Sequence, residues 1–212
     1  MEKKTAVVLL ALALVTACGC GAARPSKYYQ LRIPPEAAPA KEQERYPVTL
    51  LVGPVVGSHL YREDRLVYST GEVQMGTYQY QRWAVPPTEM IQEMLLRNLR
   101  ASERYQAVYP LSSSAHGDFL LRGRLYDFRE VSGPTVQARV TLEYELHDMK
   151  SGATVWTHFY THDEPVAAKD VPHVIDAIEH NVQRCLSEFT AQLDQYFASH
   201  RGQLSSQQTG QR

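Results

Sequence analysis

Cysteine, basic charge and long apolar runs are all scarce in this chain. Three cysteines among 212 residues are too few for the disulfide framework of a small secreted scaffold, and a chain of this length buries enough surface to fold without one. Its 22 Lys and Arg are balanced by 23 Asp and Glu. Because there is no basic excess to bind a nucleic-acid backbone, we expect no nucleic-acid partner.

Motifs of phosphate-dependent and nucleophilic chemistry are also missing from the sequence. No GxxxxGK phosphate loop is present, so ATP hydrolysis by a P-loop is excluded. The serines at 112–114, with His116 and Asp118, have the residue types of a triad, but no nucleophile elbow surrounds them and they are interpreted as a turn. We therefore predict no catalytic residues, no cofactor and no enzymatic activity.

Eight histidines raise the question of a metal site, above all His158 and His162 beside Asp163 and Glu164. On a strand, residues four apart are separated by about 13 Å, whereas zinc ligands lie about 2 Å from a shared ion. This spacing favours solvent-facing histidines, and no metal site is predicted.

The N-terminus has the pattern of a bacterial lipoprotein signal. Lys3 and Lys4 precede an apolar stretch over residues 6–15, which is shorter than the roughly 20 residues that a membrane-spanning helix needs. Val15-Thr16-Ala17-Cys18 follows as a lipobox, so residues 1–17 are predicted to be a cleaved signal peptide and Cys18 the lipidated residue. Cys20 is a poorer candidate, because no branched residue stands at its first lipobox position. An ordinary secretory signal is the alternative.

The lipid on Cys18 fixes the expected location. A thioether-linked diacylglycerol and an amide-linked acyl chain such as palmitate together anchor a protein where one chain binds only marginally. Gly19 stands where an aspartate is the usual inner-membrane retention signal. We therefore expect a lipid-anchored protein on the periplasmic face of the outer membrane.

Composition divides the mature chain into a spacer, one domain and a tail. Residues 18–26 are small and polar, as in a lipid-anchored spacer, and residues 34–47, with their prolines and charges, are predicted to be a loop. Residues 27–201 form a single predicted α+β domain. The Gln- and Ser-rich residues 202–212 are predicted to be a disordered tail.

Periodicity predicts the fold of that domain. Residues 136–146 alternate apolar and polar side chains, which is typical of a strand with one wet face. Apolar residues three and four apart predict a helix over 88–101, capped by Thr88, and a long helix capped by Asp170, with Cys185 on its apolar face. The remaining strand signals lie at 28–33, 48–52, 65–68, 73–80, 119–128 and 153–161. We predict a two-layer α+β fold, in which an antiparallel sheet carries both helices on one face.

An aromatic and basic segment between residues 61 and 83 is the predicted partner-binding surface. Tyr, Trp and Arg are the residues that protein interfaces favour. The alternative is that these tyrosines only cover a sheet edge, with their hydroxyls in water. The predicted binding residues are Tyr61, Arg65, Tyr78, Tyr80, Arg82 and Trp83.

Several short segments follow one another in a recognisable order along the chain. They are Tyr28-Tyr29-Gln30-Leu31, Val52-Gly53-Pro54-Val55, Arg65-Leu66-Val67-Tyr68, Arg82-Trp83-Ala84, the helix from Thr88, Gly117-Asp118-Phe119-Leu120-Leu121, the hairpin over 136–160 and the final helix. In this order they resemble the ABC-type transport auxiliary lipoprotein family. A departure is Val85-Pro86-Pro87, where the family often has an acidic residue and a single proline.

The resemblance implies a non-enzymatic periplasmic component of an ABC-type transport system that moves lipids between membranes. Its implied partners are the permease and ATPase of the transporter and a substrate-binding protein of the mammalian-cell-entry (MCE) type, besides the membrane itself. Homo-oligomerisation is left open. The alternatives are a carrier that holds an acyl chain between the sheet and the long helix, and a structural lipoprotein of an envelope assembly.

Overall fold

The computed structural model describes residues 24–32, 45–71 and 73–202. The predicted signal peptide, Cys18, the greater part of the predicted loop and all of the predicted tail beyond Gly202 lie outside these residues. The described elements are β1 (Lys27–Tyr29), β2 (Tyr46–Gly57), a 3-10 turn (His59–Tyr61), β3 (Arg65–Thr70), β4 (Gln74–Trp83), α1 (Pro87–Ala101), β5 (Tyr105–Pro110), β6 (Phe119–Ser132), β7 (Gln137–Asp148), β8 (Thr154–Pro165) and α2 (Val171–Ser199).

The sheet is organised around β6, the longest of the described strands. One edge of β6 pairs with β7 along nearly its whole length, and β8 follows β7. The other edge is divided, because residues 119–125 pair with β2 and residues 130–132 pair with β3. β5 extends the sheet beyond β2, while β4 and β1 extend it beyond β3.

The predicted α+β class, with two layers, is confirmed, but the sheet is mixed rather than antiparallel. The pairs β3–β4, β6–β7 and β7–β8 are antiparallel, the last as predicted for the hairpin over 136–160, whereas β2–β5, β2–β6, β3–β6 and β1–β4 are parallel. The connection from β2 to β5 includes α1, and a crossover of that length allows two neighbouring strands to run in the same direction.

Both helices pack on the same face of the sheet. α1 covers β2 and β5, α2 covers β7 and β8, and the two helices contact each other. The helix α1 begins at Pro87, with Pro86 at the N-cap position, so the predicted cap at Thr88 is wrong by two residues. Proline is suited to the first turn, because its missing N–H has no partner there in any case. Thr88 instead lies inside the helix, with its methyl group against Gly57.

The long helix follows its prediction closely. Asp170 caps it by accepting a hydrogen bond from the His173 N–H at 3.0 Å. Its buried stripe includes Val182, Leu193 and Cys185, a free cysteine that is fully buried, as its position on the apolar face predicted. On the sheet, Ala138, Val140, Leu142, Tyr144 and Leu146 face this stripe and are inaccessible to solvent. The alternation over 136–146 therefore identified the core face correctly.

No helix among the described residues is both long enough and apolar enough to cross a bilayer.

Candidate functional site

Two members of the predicted binding surface, Tyr61 and Trp83, belong to the core. Each is 1% exposed, and the Trp83 ring lies 5.3 Å from that of Phe128. Burial raises the pKa of the Tyr61 hydroxyl to about 12. The expectation that these two side chains lie on a surface is wrong, because the strand pleat turns Trp83 toward the helix layer.

Tyr78 is half-buried and bonded within the sheet. Its hydroxyl donates to the carboxylate of Glu130 at 2.6 Å, and its ring meets that of Tyr68 edge to face at 5.2 Å. Burial, and then the bond to Glu130, raise the pKa of Tyr78. Glu130 is itself buried in β6. Tyr78 therefore joins β4 to the central strand, and its hydroxyl is occupied.

The remaining predicted residues, Arg65, Tyr80 and Arg82, lie where β3 and β4 pair, close to the outer strand β1. Arg65 is opposite Arg82 in the antiparallel register, and Tyr28 of β1 is beside Arg82 in the parallel register. Paired residues share a face of the sheet, and Arg82 precedes the inward-facing Trp83, so these side chains point away from the helices.

Two residues that were not predicted as binding residues complete this region. Tyr28 is 63% exposed, and the Arg24 guanidinium lies over the Tyr80 ring at 5.6 Å, within the range of a cation–π contact. We call these five residues the edge surface: Arg24, Tyr28, Arg65, Tyr80 and Arg82.

The edge surface carries unpaired positive charge. Arg82 forms an ion pair with Asp64 at 2.7 Å. Within the part of the chain that the structure describes, Arg24 and Arg65 have no carboxylate partner. The edge surface therefore holds three cations, of which only Arg82 is paired among the described residues, in a protein whose overall charge is close to zero.

The edge strand β1 is fixed to the domain at several points. The Tyr29 hydroxyl donates to Gln81 at 2.8 Å, and the Ala84 N–H donates to the Tyr29 carbonyl at 2.7 Å. Beyond the strand, Arg32 donates to the Glu179 carboxylate of α2 through its backbone N–H and its Nε. The segment that follows the predicted spacer is thus held by both layers of the fold.

The predicted lipidation site lies outside the described residues, but the sequence limits its distance from the edge surface. Lys27 follows Cys18 by nine positions and Arg24 follows it by six. A fully extended chain spans at most 3.3–3.6 Å per residue, so Cys18 lies within about 30 Å of Lys27.

The two histidines of β8, His158 and His162, are less exposed than the sequence predicted. His158 is buried, stacks on Trp156 at 5.8 Å and bonds to Gln192 of α2, so the prediction that it faces solvent is wrong. His162, on the same face of β8, is half-buried and lies 3.2 Å from Glu164. Among the described residues no group of three or more His, Cys, Asp or Glu side chains is placed to share a metal ion.

A cavity of about 460 Å³ lies beside α1. Its apolar lining includes Leu31, Met90, Met94 and Leu96, and Glu89 and Glu93 contribute carboxylates. Its volume is within the usual range of small-molecule sites. The lipid-carrier alternative predicted a cavity between the sheet and the long helix, where the facing side chains are instead packed together.

The chain belongs to a family of auxiliary transport lipoproteins. A family model described as "ABC-type transport auxiliary lipoprotein component" matches residues 29–189, which span all strands from β2 to β8 and most of α2. The resemblance inferred from the sequence is confirmed. No curated protein matches the chain.

Solved structures share the fold at low sequence identity. Protein XCC0632 from Xanthomonas campestris has a TM-score of 0.71 at 18% identity, with 85% of this chain and 99% of that chain covered. An uncharacterized protein has a TM-score of 0.63 at 14% identity, with 80% and 99% covered. The hypothetical protein CT253 from Chlamydia trachomatis has a TM-score of 0.52 at 8% identity, with 72% and 99% covered. At these identities the likeness concerns the fold alone.

Proposed function

We propose that this protein is a non-enzymatic auxiliary component of an MCE-linked ABC transport system that moves lipids between membranes. The observation that carries the proposal is the family match over residues 29–189, which covers nearly the whole folded domain. In this proposal ATP hydrolysis belongs to a separate ATPase subunit, in agreement with a sequence that has no phosphate loop.

The anchor supplies the attachment that such a component needs. With a diacylglycerol and an acyl chain on Cys18, the domain is held at the periplasmic face of the outer membrane. The spacer limits how far the domain can move from that surface, because only nine positions separate Cys18 from β1. The domain then acts at a fixed end of an assembly whose other proteins belong to the inner membrane and periplasm.

Of the predicted binding residues, the exposed Arg65, Tyr80 and Arg82 form the candidate contact surface of the anchored domain. Tyr61 and Trp83 support this surface from beneath, since Trp83 directly follows Arg82 and packs on Phe128. Tyr78 has a comparable supporting role through Glu130.

Crosslinking in intact envelopes tests the proposal. We expect an ABC permease, its ATPase and an MCE-type protein to be recovered with the wild-type chain. A Cys18→Ala chain is the matched variant, because the substitution leaves the domain sequence unchanged, and it should recover much less of each. If the wild type recovers other envelope proteins but no transport component, the protein is a structural lipoprotein and the proposal is wrong.

The cavity beside α1 supports one second candidate function, the binding of an acyl chain. Its lining of methionine and leucine side chains is suited to an irregular apolar ligand. Native mass spectrometry of the unlipidated chain tests this function. A bound lipid that is lost in Met94→Trp, which fills the cavity, supports a carrier, whereas wild-type protein that carries no lipid contradicts it.

A further inference from the structure

The edge surface differs in charge from the rest of the open sheet face. Along β6 and β7 the exposed cations have acidic neighbours across the strands, since Arg122 is opposite Glu145 and Arg124 is opposite Glu143. Arg139 binds Asp163 through two nitrogens at 2.7 and 2.8 Å. At the edge surface, by contrast, Arg65 is opposite Arg82 and has no carboxylate partner among the described residues.

The position of this uncompensated charge relative to the anchor is the second observation. Arg24 is the first cation of the described chain after Cys18, and it follows Cys18 by six positions. An extended chain of this length reaches at most about 20 Å. Because β1 is paired with β4 and Arg32 is bound to Glu179, the lipid restrains this edge of the domain directly.

We propose that the edge surface binds the anionic headgroups of the membrane that holds the anchor, so that Arg24 and Arg65 contact lipid phosphates. The proposal rests on the lipidation of Cys18 in the proposed function, and it names the occupant of the candidate contact surface. Transport proteins would accordingly bind the domain on another face.

The side chains have the chemistry of a membrane–water interface. Lysine and arginine near an anionic bilayer each contribute attraction to its surface, and tyrosine rings are enriched at the headgroup level. Tyr28 presents most of its ring to solvent, and Tyr80 holds the Arg24 guanidinium beside it. The surface thus combines two cations, Arg24 and Arg65, that have no acidic partner among the described residues with two amphipathic rings, at the end of the domain nearest the anchor.

Vesicle binding of the unlipidated chain, residues 19–212, tests the proposal. This chain keeps residues 24–202, which form one sheet with both helices packed on it. The probe is vesicles of phosphatidylethanolamine with and without phosphatidylglycerol, measured by co-sedimentation. We expect binding only when phosphatidylglycerol is present, and binding that weakens as salt is added.

Arg24→Gln combined with Arg65→Gln should weaken this binding by about 25-fold, or about fivefold for each cation removed. The matched control is Arg122→Gln with Arg124→Gln, which removes the same charge from exposed positions of β6 and should change binding little. Circular dichroism of both double variants confirms that they are folded. Equal binding to both kinds of vesicle, or an equal loss in the control pair, overturns the proposal.

If the edge surface binds a protein instead of lipid, the two assays give a different combination of results. If the Arg24→Gln, Arg65→Gln chain binds vesicles as the wild type does but no longer co-purifies with the transport proteins, the edge surface is a protein interface and the proposal is wrong. The vesicle assay needs neither the lipid on Cys18 nor a transporter. If the vesicle assay shows no binding, the proposed function is unaffected. If envelope crosslinking with the wild type recovers no transport component, only the proposed function is contradicted.

Discussion

Glu179 and Arg32 join the segment nearest the anchor to the long helix. The Glu179 carboxylate accepts the Arg32 backbone N–H at 2.6 Å and the Arg32 Nε at 2.9 Å. Glu179 is almost entirely buried, whereas the Arg32 side chain is exposed. The carboxylate and the backbone N–H therefore contribute most of the stabilisation from this contact, because a buried donor or acceptor is costly to leave without a partner.

Removing that carboxylate should loosen the N-terminal segment. We expect Glu179→Ala to lower the free energy of unfolding by about 1–3 kcal/mol, because the Arg32 N–H loses its acceptor. Urea unfolding measures the change. Arg32→Ala is the comparison and should cost less, because its backbone N–H remains bonded. An unchanged urea midpoint in Glu179→Ala contradicts this account of the contact.

Asn181 should be among the most sensitive polar positions of α2. Its amide donates to the carbonyls of Ala138 and His162, on neighbouring strands, and its oxygen accepts the Tyr160 hydroxyl at 2.6 Å. We expect Asn181→Ala to lower the free energy of unfolding by about 2–4 kcal/mol, since it leaves buried groups unpaired. Tyr160→Phe removes one bond and should cost about 1 kcal/mol. Equal costs for the two variants in thermal unfolding would argue against a network centred on Asn181.

Gly123 lies at a close approach of core side chains. A Cβ at this position would lie 2.9 Å from Val55 Cγ2 and 3.0 Å from Tyr144 Cε1, both in the core. We expect Gly123→Ala to destabilise the fold by about 1–3 kcal/mol through overpacking. In a double-mutant cycle, Val55→Ala should recover part of that cost, because it removes the nearer methyl group. Additive costs contradict the assigned clash.

The Arg139–Asp163 pair should give stability that depends on pH. Its hydrogen bonds lower the pKa of Asp163 below 3.8 in the folded protein. A group with a lowered folded pKa stabilises the fold above its unfolded pKa, and this contribution is lost as the pH falls through the folded value. We expect Asp163→Asn to be less stable than the wild type near neutral pH, with a difference that disappears below pH 3.8. Urea midpoints across that range measure it, and a constant difference contradicts the assignment.

Substitutions at Trp83 and Tyr80 should distinguish a core residue from a surface residue. Trp83→Ala empties a core position and should lower the free energy of unfolding by about 3–5 kcal/mol. Tyr80→Ala should preserve the fold, because its ring is only half-buried. Circular dichroism distinguishes the two variants. If Trp83→Ala is as stable as the wild type, the assignment of Trp83 to the core packing is wrong.

Periodicity predicted which faces are buried but not which strands are neighbours. The alternation over residues 136–146 and the stripe of α2 follow from burial against one partner layer, which local sequence records. The parallel pairing of β2 with β5 and β6 depends on crossovers that no local pattern records. The short strand β5 was missed, since only Tyr105 and Val108 of its six residues are buried.

Composition predicted which segment holds the candidate site, but Tyr61 and Trp83 were wrongly expected on the surface. Arg82 and Trp83 are adjacent in a strand, so alternation alone places them on opposite faces, and this signal could have separated core from surface. Tyr28 reaches the site through pairing with Arg82, more than 50 positions away, and Arg24 reaches it through its contact with the Tyr80 ring. Their local sequence gives no sign of these contacts.

Mass spectrometry of the N-terminal peptide, from protein isolated out of separated inner and outer membranes, tests the central claim most directly. The account predicts a chain that begins at Cys18, carries a diacylglycerol and an acyl chain on that residue, and is recovered with the outer membrane. A chain with an unmodified Cys18, released into the periplasmic fraction, contradicts it.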